Sequence, residues 1–162
     1  MTIPLMLRQL RHDVWATEHL IGRCRALSAE QLELTVPGTY GTIRRTLGHI
    51  VGADESYLGR LGLAVADPFG PGADASLAEV AAHFADVKVA VERILSGEEF
   101  DPDRVMTTNR GPIRAWVLVT QFVHHGNDHR AHIGTILGAH GLDAPDLQVW
   151  AYAPTVGGLS DG

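Results

Sequence analysis

His125 and His129 stand four residues apart, so on a helix their imidazoles project from one side, a turn apart. At that spacing two neutral ring nitrogens can reach a single divalent cation at about 2.0–2.2 Å. His132, three residues further on, lies close to the same side. At about 100° per residue, all three fall on one flank of their helix's apolar stripe. In a chain with nine histidines among 162 residues the same pattern also arises by chance along a solvated helix edge. Two histidines rarely hold a divalent metal tightly, so a third ligand must come from elsewhere. His49, within Leu47-Gly48-His49-Ile50, is the candidate. It too lies off the centre of its stripe, which suits a site at the mouth of a bundle and equally suits simple exposure.

Asp54 falls near the middle of an apolar helix face, where an unpaired carboxylate is costly. It either supports a ligating imidazole or a bound group, or pairs with an arginine or a helix-end donor. The remaining histidines read more plainly. His12 and His19 lie opposite their helix's apolar stripe and are expected in solvent. His83 falls within an apolar face as a packed or lining residue, His124 points away from His125, and His140 suits a helix C-terminus. There is no HExxH, P-loop or GxGxxG pattern, so those hydrolytic and nucleotide-binding chemistries are set aside. The lone cysteine, Cys24, excludes an intrachain disulfide and a CxxC knuckle, and its place in an apolar stripe makes it a core residue.

Four helical segments must position these groups. The first runs from about Pro4 to Leu27, with Leu7, Leu10, Val14, Ile21 and Cys24 in one stripe. After a turn at Val36-Pro37-Gly38, the second runs from about Thr42 to Leu63. Its glycines, Gly48, Gly52, Gly59 and Gly62, each weaken it by up to about 1 kcal/mol relative to alanine, while permitting close approach of a neighbour. Asp67-Pro68-Phe69-Gly70-Pro71-Gly72 breaks the pattern. Ser76-Leu77-Ala78-Glu79 opens the third helix as a capping box, and Ser96-Gly97 ends it. From about Phe100 to Pro112 the chain is polar and irregular, with room for a short extended pair. The fourth helix runs from about Ile113 to Ala139 and carries Trp116, Val119, Phe122, Val123, Ile133 and Leu137. The expected fold class is all-α, a four-helix bundle with one or two long connections, forming a single domain over residues 1–162.

Composition narrows the partners. Hydrophobic residues make up 45% and charged residues 20%, which excludes wholesale disorder. With 13 Lys+Arg against 19 Asp+Glu, the net charge is -6. The chain therefore offers no general attraction to nucleic acid or to an anionic membrane surface. No secretory signal or apolar run of spanning length is present, and the expected compartment is the cytoplasm.

The segment Val123-His124-His125-Gly126-Asn127-Asp128-His129-Arg130-Ala131-His132-Ile133 resembles the helix-four signature of the DinB-like (YfiT-like) metal-dependent proteins, H-x3-H followed by Arg. Thr42-Ile43-Arg44-Arg45-Thr46-Leu47-Gly48-His49-Ile50 is similar to that family's second-helix motif, which supplies its first histidine. The tail from Gly141 to Tyr152 resembles the end of many members, so the likeness covers most of the chain in order. It implies an up-down-down-up bundle in which His49, His125 and His129 hold a divalent metal, zinc or nickel in most cases and iron or manganese in others. His132 stands where the family often has glutamine, which implies a pocket or supporting role. Family members include transferases and isomerases using bacillithiol or mycothiol, and the absence here of an added C-terminal domain argues against maleylpyruvate isomerisation.

Three histidine ligands leave a coordination position open, the pattern of a working metal. The leading expectation is a metal-dependent transferase that activates a low-molecular-weight thiol against a small electrophile, with metal-assisted hydrolysis second. Arg130 and Asn127, next to the ligands in sequence, are candidates for orienting an anionic or amide-bearing substrate, or are simply solvated. The rival is a non-catalytic bundle that binds metal or a small ligand, in stress response or as a dimerising module. A homodimer is compatible with either.

Overall fold

The structure is a computed structural model that describes residues 5–97, 100–108 and 111–158. Its helices are α1 (Leu5–Cys24), α2 (Ala29–Leu32), α3 (Ile43–Arg60), α4 (Leu77–Ser96), α5 (Ala115–Ala139) and α6 (Val149–Tyr152), the last followed by a 3₁₀ turn. The local chemistry sets most of these boundaries. The Thr42 side chain accepts the Arg45 N–H at the start of α3. At the start of α4, Ser76 and Glu79 satisfy one another's backbone N–H groups reciprocally. Gly97, at φ +73°, closes α4 in the left-handed conformation that favours glycine.

Three boundaries differ from the periodicity. α3 ends at Arg60 rather than near Leu63, and Gly62 takes a φ of +84° just beyond it. α1 stops at Cys24, because the chain turns so that Ser28 can cap the short α2. α5 begins at Ala115 rather than near Ile113, because Gly111–Arg114 forms a strand, β2, antiparallel to β1 (Val105–Thr108), with Met106 opposite Ile113. The amide of Ala115 then donates to the Arg104 carbonyl at 2.9 Å, so the hairpin hands the chain directly to the helix. Trp116, placed in the apolar stripe by its spacing, is 44% exposed beside this hairpin junction.

The four long helices form a ring in which α1 and α3 are diagonal, with α4 and α5 packing between them. Arg44 at the start of α3 bonds Asp74 and the Ala75 carbonyl just before α4, and Glu55 meets His83 further along. α3 and α4 therefore run the same way. Tyr40 lies against His129 and Tyr57 against His125, so α5 runs opposite to α3. Asp13 meets Arg130, and Arg23 reaches the Asp143 carbonyl beyond the end of α5, so α1 and α5 run together. The result is an up-down-down-up all-α bundle. Leu20, Ile43, Leu47, Ile50, Leu58, Ile133, Ile136 and Leu137 are fully buried at its centre, each contributing about 1.5–3 kcal/mol by leaving water. No helix among the described residues is long and apolar enough to cross a membrane.

Candidate metal centre

Because α3 and α5 are antiparallel neighbours, residues 76 positions apart meet across their interface. His49 of α3 and His125 and His129 of α5 each offer one ring nitrogen, and these atoms all lie within 4.8 Å of one another. The His49 and His125 Nε2 atoms are 2.9 Å apart. Ring centroids are 4.8 Å apart for His49–His125, 4.6 Å for His49–His129 and 4.4 Å for His125–His129. All three rings are half-buried.

Hydrogen bonding decides what these nitrogens offer. The Pro71 carbonyl can only accept, so the His49 Nδ1–H donates to it at 2.9 Å. In the neutral ring that leaves Nε2 as a lone pair aimed at His125. Burial, aided by the neighbouring His129 and His49, lowers the His125 pKa to about 4, against a smaller opposing pull from Asp128. Burial, with His49 and His132, also lowers His129 to about 4. Both rings are therefore neutral at neutral pH, with lone pairs free to donate. The Nδ1 atoms of His125 and His129 are buried without a hydrogen-bond partner, and the His49 and His125 Nε2 atoms face each other within hydrogen-bond distance. A set of neutral imidazoles suits zinc, nickel, copper or iron. The residues fit a first-row divalent metal.

The DinB family model matches residues 3–155. The chain belongs to the DinB family. No curated protein matches it.

Around the trio of this DinB-family chain stand groups the sequence reading did not single out. Tyr40, 43% exposed, stacks on His49 at 4.1 Å and meets His129 edge-on at 4.9 Å. Tyr57 approaches His125 edge-on at 5.8 Å. His132 lies 5.3 Å from His129, and its Nδ1 is buried without a partner. Aromatic rings thus surround the three histidines between α3 and α5. Periodicity gives no hint of Tyr40, which sits in the turn before α3.

Arg130 and Asn127 are placed elsewhere. Arg130 is 5% exposed and turns toward α1. Its guanidinium bonds the Asp13 carboxylate at 2.5 Å and the Thr17 hydroxyl at 2.8 Å, and its other bonds go to the Asp13 carbonyl and the Asn127 side chain. Asn127 borders a groove formed with His12 and Trp150 of the tail, on the flank of α5 opposite the trio. Neither is positioned to orient a substrate at the three histidines. The reason is helical geometry: one residue of separation in sequence is about 100° of rotation.

Asp54 is fully buried, and neither carboxylate oxygen has a hydrogen-bond partner. It contacts none of the ligating imidazoles by hydrogen bond. The charges that act on it are those of Asp13, Arg130 and Glu55. Burial, then the Asp13 charge, pushes its carboxyl well above the usual range, more than the Arg130 charge lowers it. Its surroundings therefore favour the protonated acid over the carboxylate. It forms no hydrogen bond to an imidazole or to an arginine.

The other histidines divide between surface and packing. His12 is half-buried, not solvated. Its Nε2–H donates to the Leu147 carbonyl at 2.8 Å, and its ring stacks on Trp15 at 5.8 Å. The tail folds back over this face of α1, which helical periodicity cannot show. His19 and His124 are exposed. His83 donates from Nδ1 to the buried Glu55 at 2.6 Å, and His140 caps α5. Cys24 is buried, and burial pushes its thiol up to about 12.

Proposed function

We propose that His49, His125 and His129 hold a divalent first-row metal, and that the protein is a transferase activating a low-molecular-weight thiol of the mycothiol or bacillithiol type. The observation that carries this reading is the convergence of three imidazoles, with neither a carboxylate nor a cysteine among them. Neutral ligands leave the cation's double charge uncompensated, which favours an anionic guest at the open position. A metal held by these residues would lower the pKa of a bound thiol and so supply a thiolate at neutral pH.

The chain's own residues limit the chemistry further. Cys24 is buried and, with its thiol pushed up to about 12, is no nucleophile. The attacking sulfur therefore comes from solution. Tyr40 and Tyr57 lie against His49 and His125 and are the aromatic side chains a small electrophile would meet beside the metal. Zinc, nickel and iron all suit imidazole ligands, and manganese is the further occupant that the family resemblance implies.

The test is elemental analysis of protein purified without a histidine tag, followed by a thiol-transfer assay across a panel of thiols and electrophiles. The expected result is a stoichiometric first-row metal and turnover that needs both metal and thiol. Turnover of esters or amides without thiol would assign a hydrolase. Metal-loaded protein with no turnover would assign a non-catalytic binding role. Absence of any first-row metal, with none taken up on titration, would end the metal reading.

A further inference from the structure

The long connection between α3 and α4 presses unusually close to α3. A Cβ placed on Gly52 would stand 2.1 Å from the Gly70 carbonyl oxygen and 2.6 Å from the Pro71 nitrogen, distances that only a glycine permits. One helical turn before Gly52, the carbonyl of Pro71 takes the His49 Nδ1–H. The same connection is tied down from inside the bundle. Glu55, 2% exposed, accepts the Phe69 amide through Oε2 at 3.1 Å. Its Oε1 takes the His83 Nδ1–H at 2.6 Å, and Phe69 packs edge-on against His83 at 4.3 Å. Gly70, at φ +72°, turns the chain between the Phe69 anchor and Pro71.

These contacts form one mechanical chain. We propose that Gly52 and Glu55, with His83, are positioning residues for the metal centre: they clamp the 67–72 segment so that the Pro71 carbonyl fixes His49 as its Nδ1–H tautomer and presents Nε2 to the metal. A free neutral histidine exchanges between two tautomers, and only one of them leaves Nε2 able to ligate. The burial of a carboxylate under a surface connection is explained by this task. Glu55 points away from the trio toward α4, so it acts through the backbone of the connection and not by touching the metal.

The proposal rests on the metal reading above, and its test separates the two. Nitrogen NMR of the histidine rings in metal-free protein reads the His49 tautomer directly, and titration with cobalt(II), followed by its visible absorption, reads affinity. In the wild-type chain His49 is expected in the Nδ1–H form. Gly52→Ala forces the Gly70–Pro71 backbone outward and Glu55→Ala releases the Phe69 anchor. Both should move His49 toward a tautomer mixture and weaken cobalt binding by about 10–100-fold, the range for groups that orient a ligand. Gly59→Ala, on the same helix with nothing within 4 Å of the added Cβ, is the control and should leave both readouts unchanged. A wild-type His49 in the Nε2–H form overturns the proposal, as does a wild-type tautomer in folded Gly52→Ala protein. Should Glu55→Ala fail to fold by circular dichroism, Gly52→Ala decides alone. If the wild-type chain takes up no cobalt, the metal reading falls while the tautomer readout still judges the clamp.

Discussion

Arg130 of α5 and Asp13 of α1 form a salt bridge of 2.5 Å inside the bundle, with side-chain exposures of 4% and 1%. Charges so deeply placed depend on each other, because neither can recover its hydration if the partner is lost. Removing one member should therefore cost far more than a surface pair would, about 3–5 kcal/mol. Arg130→Ala is expected to lower the urea midpoint accordingly. Arg130→Lys should rescue it only in part, since an ammonium cannot reproduce the planar fork that serves Asp13, Thr17 and Asn127 together. An Arg130→Ala protein of wild-type stability would contradict this.

Gly126 makes room for that pair. A Cβ there would lie 2.7 Å from Arg130 Nη1 and 2.7 Å from Asp13 Oδ1. Gly126→Ala should destabilise by roughly 1–3 kcal/mol, the cost of overpacking a filled interior, despite alanine's better helix propensity. Gly134→Ala on the same helix meets nothing within 4 Å and should stabilise by up to about 1 kcal/mol. Thermal denaturation of the two variants side by side gives opposite shifts if the contacts are as described.

Asp54 supplies a pH dependence. Its carboxyl is raised well above 3.8 by burial and by Asp13, so between 3.8 and its folded value the native chain binds a proton that the unfolded chain has released. Stability from this group is full at pH values below 3.8 and is lost as pH rises through the folded value. Asp54→Asn mimics the protonated acid. It should flatten the fall in stability with rising pH and leave the variant more stable than wild type at the alkaline end. Urea midpoints across a pH series would show the two curves diverging upward in pH; parallel curves would exclude a protonated Asp54.

His125→Ala removes one of three ligands and should abolish stoichiometric metal, a larger loss than the about 10–100-fold expected from disturbing a supporting group. His124→Ala, one residue away but exposed and paired with Asp128 at 3.4 Å, should retain it. Because metal binds the folded state, excess zinc should also raise the wild-type unfolding free energy, by about 2.7 kcal/mol at a hundredfold excess over Kd. That gain should vanish in His125→Ala and on chelation.

The residues themselves determined the helical segments, their caps and the candidate ligands. Periodic Leu, Ile and Val positions, the Ser76–Glu79 box and the His125–His129 spacing are all local patterns, and local patterns are what a helix repeats. Other features are products of packing between distant segments. The meeting of His49 with the α5 pair needs α3 and α5 to be antiparallel neighbours at one register. Arg130 faces α1, Asp54 ends beside Asp13, and His12 lies under the tail for the same kind of reason. Periodicity places the start of α5 near Ile113 because that residue suits a strand as well as a helix, and only its pairing with Met106 decides between them. The glycines of α3 hinted at a close neighbour, but which backbone approaches Gly52 is fixed by the path of the 67–72 segment, and that path depends on a glutamate buried beneath it. Side-chain type and spacing are carried along one dimension, whereas the pairing of charges and the fixing of a tautomer require partners that meet only once the chain has closed on itself.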